Sequence, residues 1–141
     1  MLRVVVDTNV YISAIFWGGK PRHVIDLGRD GKIQIFTSED IEQEILDKLM
    51  TKFGLNSDDA GRVMADFSTF TKPVRISRRI HVVKDDSDDD KFIECAVECG
   101  AEFIISGDKH LLKMKKYKGI DIMNAATFLK SWYCELRDVH L

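Results

Sequence analysis

Two aspartates stand where carboxylates do chemistry in α/β proteins. Asp7 follows Leu2-Arg3-Val4-Val5-Val6, and Asp108 follows Phe103-Ile104-Ile105-Ser106-Gly107. Each apolar run reads as a short strand buried on both faces. Open α/β sheets hold their ligands at the carboxyl ends of strands, so two strands that each deliver an acid there point to one shared acidic site. A third source of acid is Asp88-Asp89-Asp90, directly before the apolar stretch carrying Phe92, Ile93, Cys95, Ala96 and Val97. Carboxylates brought together cannot all stay ionised without a cation. Oxygen ligands with no His or Cys partner select magnesium or manganese over zinc. Such a site suits phosphoryl chemistry, in which metal ions activate water and neutralise charge on the phosphate. The plainer reading stands beside this one: an Asp after a strand is also a helix cap, and Asp85, Asp86 and Asp88 read as a solvated acidic loop.

The elements that must place these acids follow from pattern and punctuation. After the first strand, Val10 to Trp17 reads as a short helix behind the capping residues Asp7, Thr8 and Asn9, closed by Gly18-Gly19. Pro21 opens a second helix to about Arg29. Lys32 to Phe36 is a strand. Glu39 to Phe53 is a helix capped by Thr37-Ser38, with Ile41, Ile45, Leu46 and Leu49 as its stripe. Asp58 to Phe70 is another, capped by Ser57 and stopped before Pro73, and Val74 to Ile76 is a short edge strand. Arg78 to Ser87 is a linker that turns acidic. A helix after Asp90 ends at Gly100, Glu102 to Ser106 is the next strand, and Lys109 to Lys115 a short helix. Ile120 to Met123 is a last strand, and a helix from Asn124 or Thr127 ends near Arg137. Alternating strands and helices imply a three-layer α/β/α domain around a parallel sheet of about five strands. With the first strand central, the switch point falls between the strands that end in Asp7 and Asp108.

Bulk properties bound the reading. The 141 residues are enough for one domain with a real core, spanning residues 1–141, and 45% hydrophobic with 31% charged is ordinary for a soluble protein. No run is long enough for a transmembrane helix, and the start lacks the layout of a signal peptide, so the expectation is a cytoplasmic protein with no membrane contact. Three cysteines make no disulfide framework; Cys95 and Cys99 read as buried thiols. A net charge of −2 gives no overall field for nucleic acid, but basic residues gather at Arg75–Arg79 and Lys109–Lys118 around the acids.

Four segments together resemble the PIN domain family, in the family's order: Val-Val-Val-Asp-Thr-Asn-Val from Val4, Ser-x-x-Ile-x-x-Glu-Ile from Ser38, Asp-Asp-Lys-Phe-Ile-Glu-Cys-Ala from Asp89, and Ile-Ile-Ser-Gly-Asp from Ile104. Within it the chain looks most like the small prokaryotic VapC-like toxins, metal-dependent ribonucleases made with an antitoxin that blocks the site. The resemblance implies strand order 3-2-1-4-5 and a magnesium or manganese site. It assigns Asp7, Glu44, Asp90 and Asp108 as the catalytic acids and metal ligands, with Asp89 as a further ligand. Thr8, Asn9 and Ser106 are implied to support them. Periodicity alone selects Glu42, nearer the apolar stripe, and the resemblance selects Glu44. His110 stands where relatives often carry another acid, and reads as a surface or supporting residue.

The implied reaction is hydrolysis of an RNA phosphodiester by metal-activated water. Lys91 and Lys109 are candidates for substrate phosphates, Arg75, Arg78 and Arg79 for the RNA path, and Trp17 for stacking on a base. Val10–Trp17 and Met64, Phe67 and Phe70 are candidate surfaces for a homodimer or an antitoxin. Two other classes compete. A phosphatase or phosphotransfer domain also uses an Asp after its first strand, but Asn9 stands where the common pattern needs a second Asp, and Val74-Arg75-Ile76-Ser77 offers no acceptor acid. A non-catalytic binding module would need no acids at all.

Overall fold

In the computed structural model, residues 1–83 and 87–136 are described. The expected solvated loop at Asp85 and Asp86 and the helix end near Arg137 lie outside them. β1 (Leu2–Val6) is buried at all but Arg3, as a strand covered on both faces must be. It pairs in parallel with β2 (Ile33–Thr37) on one side and β4 (Phe103–Ile105) on the other. β3 (Thr71–Pro73), β5 (Lys116–Tyr117) and β6 (Ile120–Met123) complete a six-stranded sheet of order β3-β2-β1-β4-β6-β5. The parallel strands reproduce the expected order, with β6 as its fifth member. The switch point lies between β1 and β4, where Val6 stands opposite Ile105.

α1 (Thr8–Phe16) and α2 (Gly19–Arg29) form a hairpin between β1 and β2. α3 (Glu39–Thr51) and α4 (Ser57–Phe70) join β2 to β3. α5 (Asp90–Cys99) follows a short 3-10 turn, Ser87–Asp89, and lies against β1, β2 and β4. α6 (Lys109–Met114) follows β4, and α7 (Ala125–Ser131) packs on α2 before a π-turn, Trp132–Leu136. Cys95 and Cys99 are buried on α5. Among the described residues no helix is long and apolar enough to cross a membrane.

Three local expectations are corrected. β3 lies at Thr71–Pro73, three residues before Val74–Ile76. The chain turns extended at Thr71 as soon as α4 ends, and Pro73 is tolerated because β3 is the sheet edge. β5 was not expected: Lys118 and Gly119, at φ 46° and 82°, form a tight turn that folds two residues antiparallel onto β6. Finally, α1 starts at Thr8, because Asp7 itself is the cap.

Candidate active site

The carboxyl ends of β1 and β4 are tied together by one hydroxyl. Ser106 Oγ donates to Asp7 Oδ2 at 2.5 Å and accepts the Asp108 amide at 2.9 Å. Asp7 Oδ1 takes the Asn9 amide at 2.9 Å, and its own amide extends the ladder to the Ile105 carbonyl. Asp108 Oδ1 caps α6 through the amides of His110 and Leu111 at 2.7 and 3.3 Å. The capping role and the site role therefore coincide: each helix start fixes a carboxylate at the strand end.

The charges there are crowded. Burial pushes the Asp7 carboxyl up from its ordinary range; Ser106 and the Asn9 amide oppose this, and the nearby charges of Glu44 and Asp108 add to it. Burial also acts to raise Asp108, but the His110 amide and a hydrogen bond with the Asp89 carboxyl outweigh it, and its value lies below the ordinary one.

The structure separates residues that sequence left as alternatives. Glu44 faces this cluster from α3, paired with Lys91 Nζ and, at 3.9 Å, with Lys48 Nζ. Glu42 faces away into a groove between α3, α4 and the chain after β3. Asp89 meets Asp108, whereas Asp90 is turned to the other side: its Oδ1 accepts the amides of Val82 and Val83 at 3.0 and 2.9 Å, and His81 Nδ1 lies 3.6 Å from Oδ2. Asp90 is thus not brought to Asp7. Thr8 is fully buried with a hydroxyl that makes no hydrogen bond, and Asn9 Oδ1 accepts from Lys48 Nζ at 3.1 Å.

Of the expected phosphate contacts, Lys91 is engaged by Glu44, and Lys109 is exposed at the mouth of a cleft of about 570 Å³ beside Asp108. Arg79 bridges Asp40 and Glu94 at 2.5 and 3.1 Å, a structural tie, and Arg75 lines the groove beside Glu42. Phe67 and Phe70, offered as a partner surface, are buried against Tyr11, with centroids 4.3 and 6.2 Å away. Trp17, by contrast, is 70% exposed. Lys48 also reaches this cluster, pairing with Glu44 and Asn9, and its sequence signal is its position four residues after Glu44 on one helix face.

Among the described residues, no three His, Cys, Asp or Glu side chains stand close enough to close around a metal ion as they are placed. The donors themselves are carboxylate oxygens, the chemistry a hard cation prefers, and Asp7 is raised by burial with Glu44 and Asp108 adding to it.

A three-layer parallel domain with acids converging at its switch point defines a class of acidic-site α/β proteins. The chain belongs to the PIN domain family, whose match covers residues 3–110. It is 34% identical over 119 residues, 81% of this chain and 76% of the relative, to the uncharacterized protein MJ1680 of Methanocaldococcus jannaschii. Its fold resembles that in the crystal structure of VapBC2 from Rickettsia felis bound to a DNA fragment from their promoter. That likeness has a TM-score of 0.63 and 12% identity, and covers 87% of this chain and 98% of that one.

Proposed function

We propose that the chain is a metal-dependent endoribonuclease that hydrolyses phosphodiester bonds of RNA. The observation that carries this reading is the convergence of Asp7, Glu44, Asp89 and Asp108 at the carboxyl ends of the central strands β1 and β4, with Asp7 raised by burial and by its acidic neighbours. These four would hold magnesium or manganese. A bound ion of this kind lowers the pKa of water and offsets charge on a phosphate. Ser106 and the Asn9 amide fix the direction of Asp7, and the amides at the start of α6 fix Asp108. Lys91 and Lys48 hold Glu44 on the α3 side. Asp90 serves by holding the chain before the 3-10 turn, so that Asp89 is delivered to Asp108.

The finer reading, a toxin kept silent by an antitoxin and assembled as a homodimer, draws on the likeness to VapBC2 and on the family. It predicts that the protein co-purifies with a small partner encoded beside it.

The test is incubation of the purified protein with labelled single-stranded RNA in manganese or magnesium, with EDTA as control, beside Asp7→Asn and Asp108→Asn. Cleavage should require the metal and fall about a hundredfold or more in each variant. Absence of any manganese binding by calorimetry would sink the reading and leave a binding module.

A further inference from the structure

The corner that joins α1 to α2 is built to present an aromatic face. Phe16, Trp17 and Phe53 form a closed triangle, with centroids 5.9, 4.7 and 5.8 Å apart. Phe16 is 38% and Trp17 70% exposed, although such rings are usually buried. The corner is held firmly. The Trp17 and Gly18 amides both donate to the Ser13 carbonyl, at 2.9 and 3.0 Å. Arg22 donates to the Ala14 and Ile15 carbonyls at 2.9 and 3.2 Å, closing the end of α1. Gly18 and Gly19 sit at φ 76° and 65°, where a side chain would be strained, so the turn depends on both.

This face is connected to the acidic site. α1 starts on Asp7 and runs from Asn9, beside Lys48, to Phe16, about 10 Å along the helix axis. The cleft beside Asp108 runs the same way, lined by Asn9, Ser13, Lys20 and Lys109. Among the described residues Lys20 and Lys109 have no acidic partner, and α1 carries no charged residue in its first or last turn. The cleft therefore has on its walls two lysines with no acidic partner among the described residues and Asp108 at its acidic end, and the exposed Trp17 stands one helical turn beyond Ser13, which lines it.

We propose that a single strand of RNA leaves the acidic site through this cleft, with Lys20 and Lys109 on its phosphates and Trp17 stacked on an unpaired base a nucleotide or two from the cut. The proposal rests on the nuclease reading for the position of the cut. Aromatic faces and lysines along a groove are how proteins hold single strands of any sequence, because every base has a π-face. A duplex cannot use Trp17, since its bases are already stacked on one another. A second copy of this chain would cover the aromatic triangle but would leave Lys20 and Lys109 without a role.

The chain has two tryptophans, and Trp132 is 2% exposed, so Trp17 is the one a ligand can reach. The test is titration of the protein, in EDTA to prevent cleavage, with a single-stranded oligoribonucleotide of mixed sequence and with the matching duplex. The single strand should quench tryptophan fluorescence saturably and the duplex should not. By anisotropy of the labelled strand, Trp17→Ala should weaken binding about tenfold. Lys20→Gln should reduce the salt slope by about one. A single strand that binds without quenching overturns the proposal. So does Trp17→Ala that binds as wild type while sedimenting as a smaller species, which assigns the face to a second copy. Binding and quenching without cleavage in manganese would sink the nuclease reading alone; cleavage without quenching would sink the path alone.

Discussion

Two sets of carboxylates, which meet where Asp89 stands beside Asp90, are treated in opposite ways. Asp90, Glu94 and Glu98 recur every fourth residue on α5 and grip the chain after β3. Glu98 accepts the Ser77 amide at 2.7 Å, Glu94 the Ile80 amide at 2.9 Å and Arg79, and Asp90 the Val82 and Val83 amides. The Ser77 hydroxyl and amide hold Glu98 below the ordinary carboxylate range. Asp7 is as buried as Glu94, at 2% against 4% exposed, yet burial and its acidic neighbours raise it. Burial alone therefore does not mark a functional acid. Asp7 has donors too, in Ser106 and the Asn9 amide; what sets it apart is the like charge of Glu44 and Asp108 beside it.

The sharpest break in this comparison falls between two adjacent residues. Asp89→Asn should lower RNA cleavage about a hundredfold, because it removes an acid of the cluster. Asp90→Asn should retain cleavage within a few-fold, since both amides go to the single oxygen Oδ1, which an amide side chain can supply. Equal losses in the two variants would merge the sets again. Asp90→Ala, by leaving two amides unsatisfied, one of them on buried Val83, should destabilise the fold by about 2–4 kcal/mol in a urea titration. Asp89→Ala should cost less.

The order of strands, the central place of β1 and the ends that carry Asp7 and Asp108 were legible because β1 is short, apolar and covered on both faces, a pattern few other elements share. The capping acids were legible for a local reason: an Asp between a strand and a helix has both its backbone duties in view. Which of Asp89 and Asp90, or of Glu42 and Glu44, comes near Asp7 and Asp108 is not legible from pattern. Neighbours on a helix start differ by about 100° in direction, and what each meets depends on chain that is distant in sequence, here Val82–Val83 and the groove beside α4. β3 is not legible at Thr71–Pro73 because the apolar residues lie further on, at Val74–Ile76, whereas the pairing is decided by where α4 stops. β5, two residues long and carrying Lys116, has no hydrophobic pattern to read.

The smallest effect expected is also the one that tests the charge argument without catalysis. The folded-state pKa of Asp7 lies above its unfolded value. Ionisation is then less favourable in the folded chain, so this group's contribution to stability falls as pH rises through that window and stays lower at neutral pH. Asp7→Asn cannot ionise. Its thermal midpoint relative to wild type should therefore rise between about pH 4 and pH 7, by a few degrees at most for a domain of this size. Manganese should reverse the ranking at pH 7, raising wild type and leaving Asp7→Asn nearly where it was, because a ligand stabilises only the state that binds it. If the variant instead loses stability in parallel with wild type across the whole range, Asp7 belongs with the α5 acids. Its bonds to Ser106 and the Asn9 amide would then outweigh the crowding, and the cluster would be a capped strand end rather than a site that needs a cation.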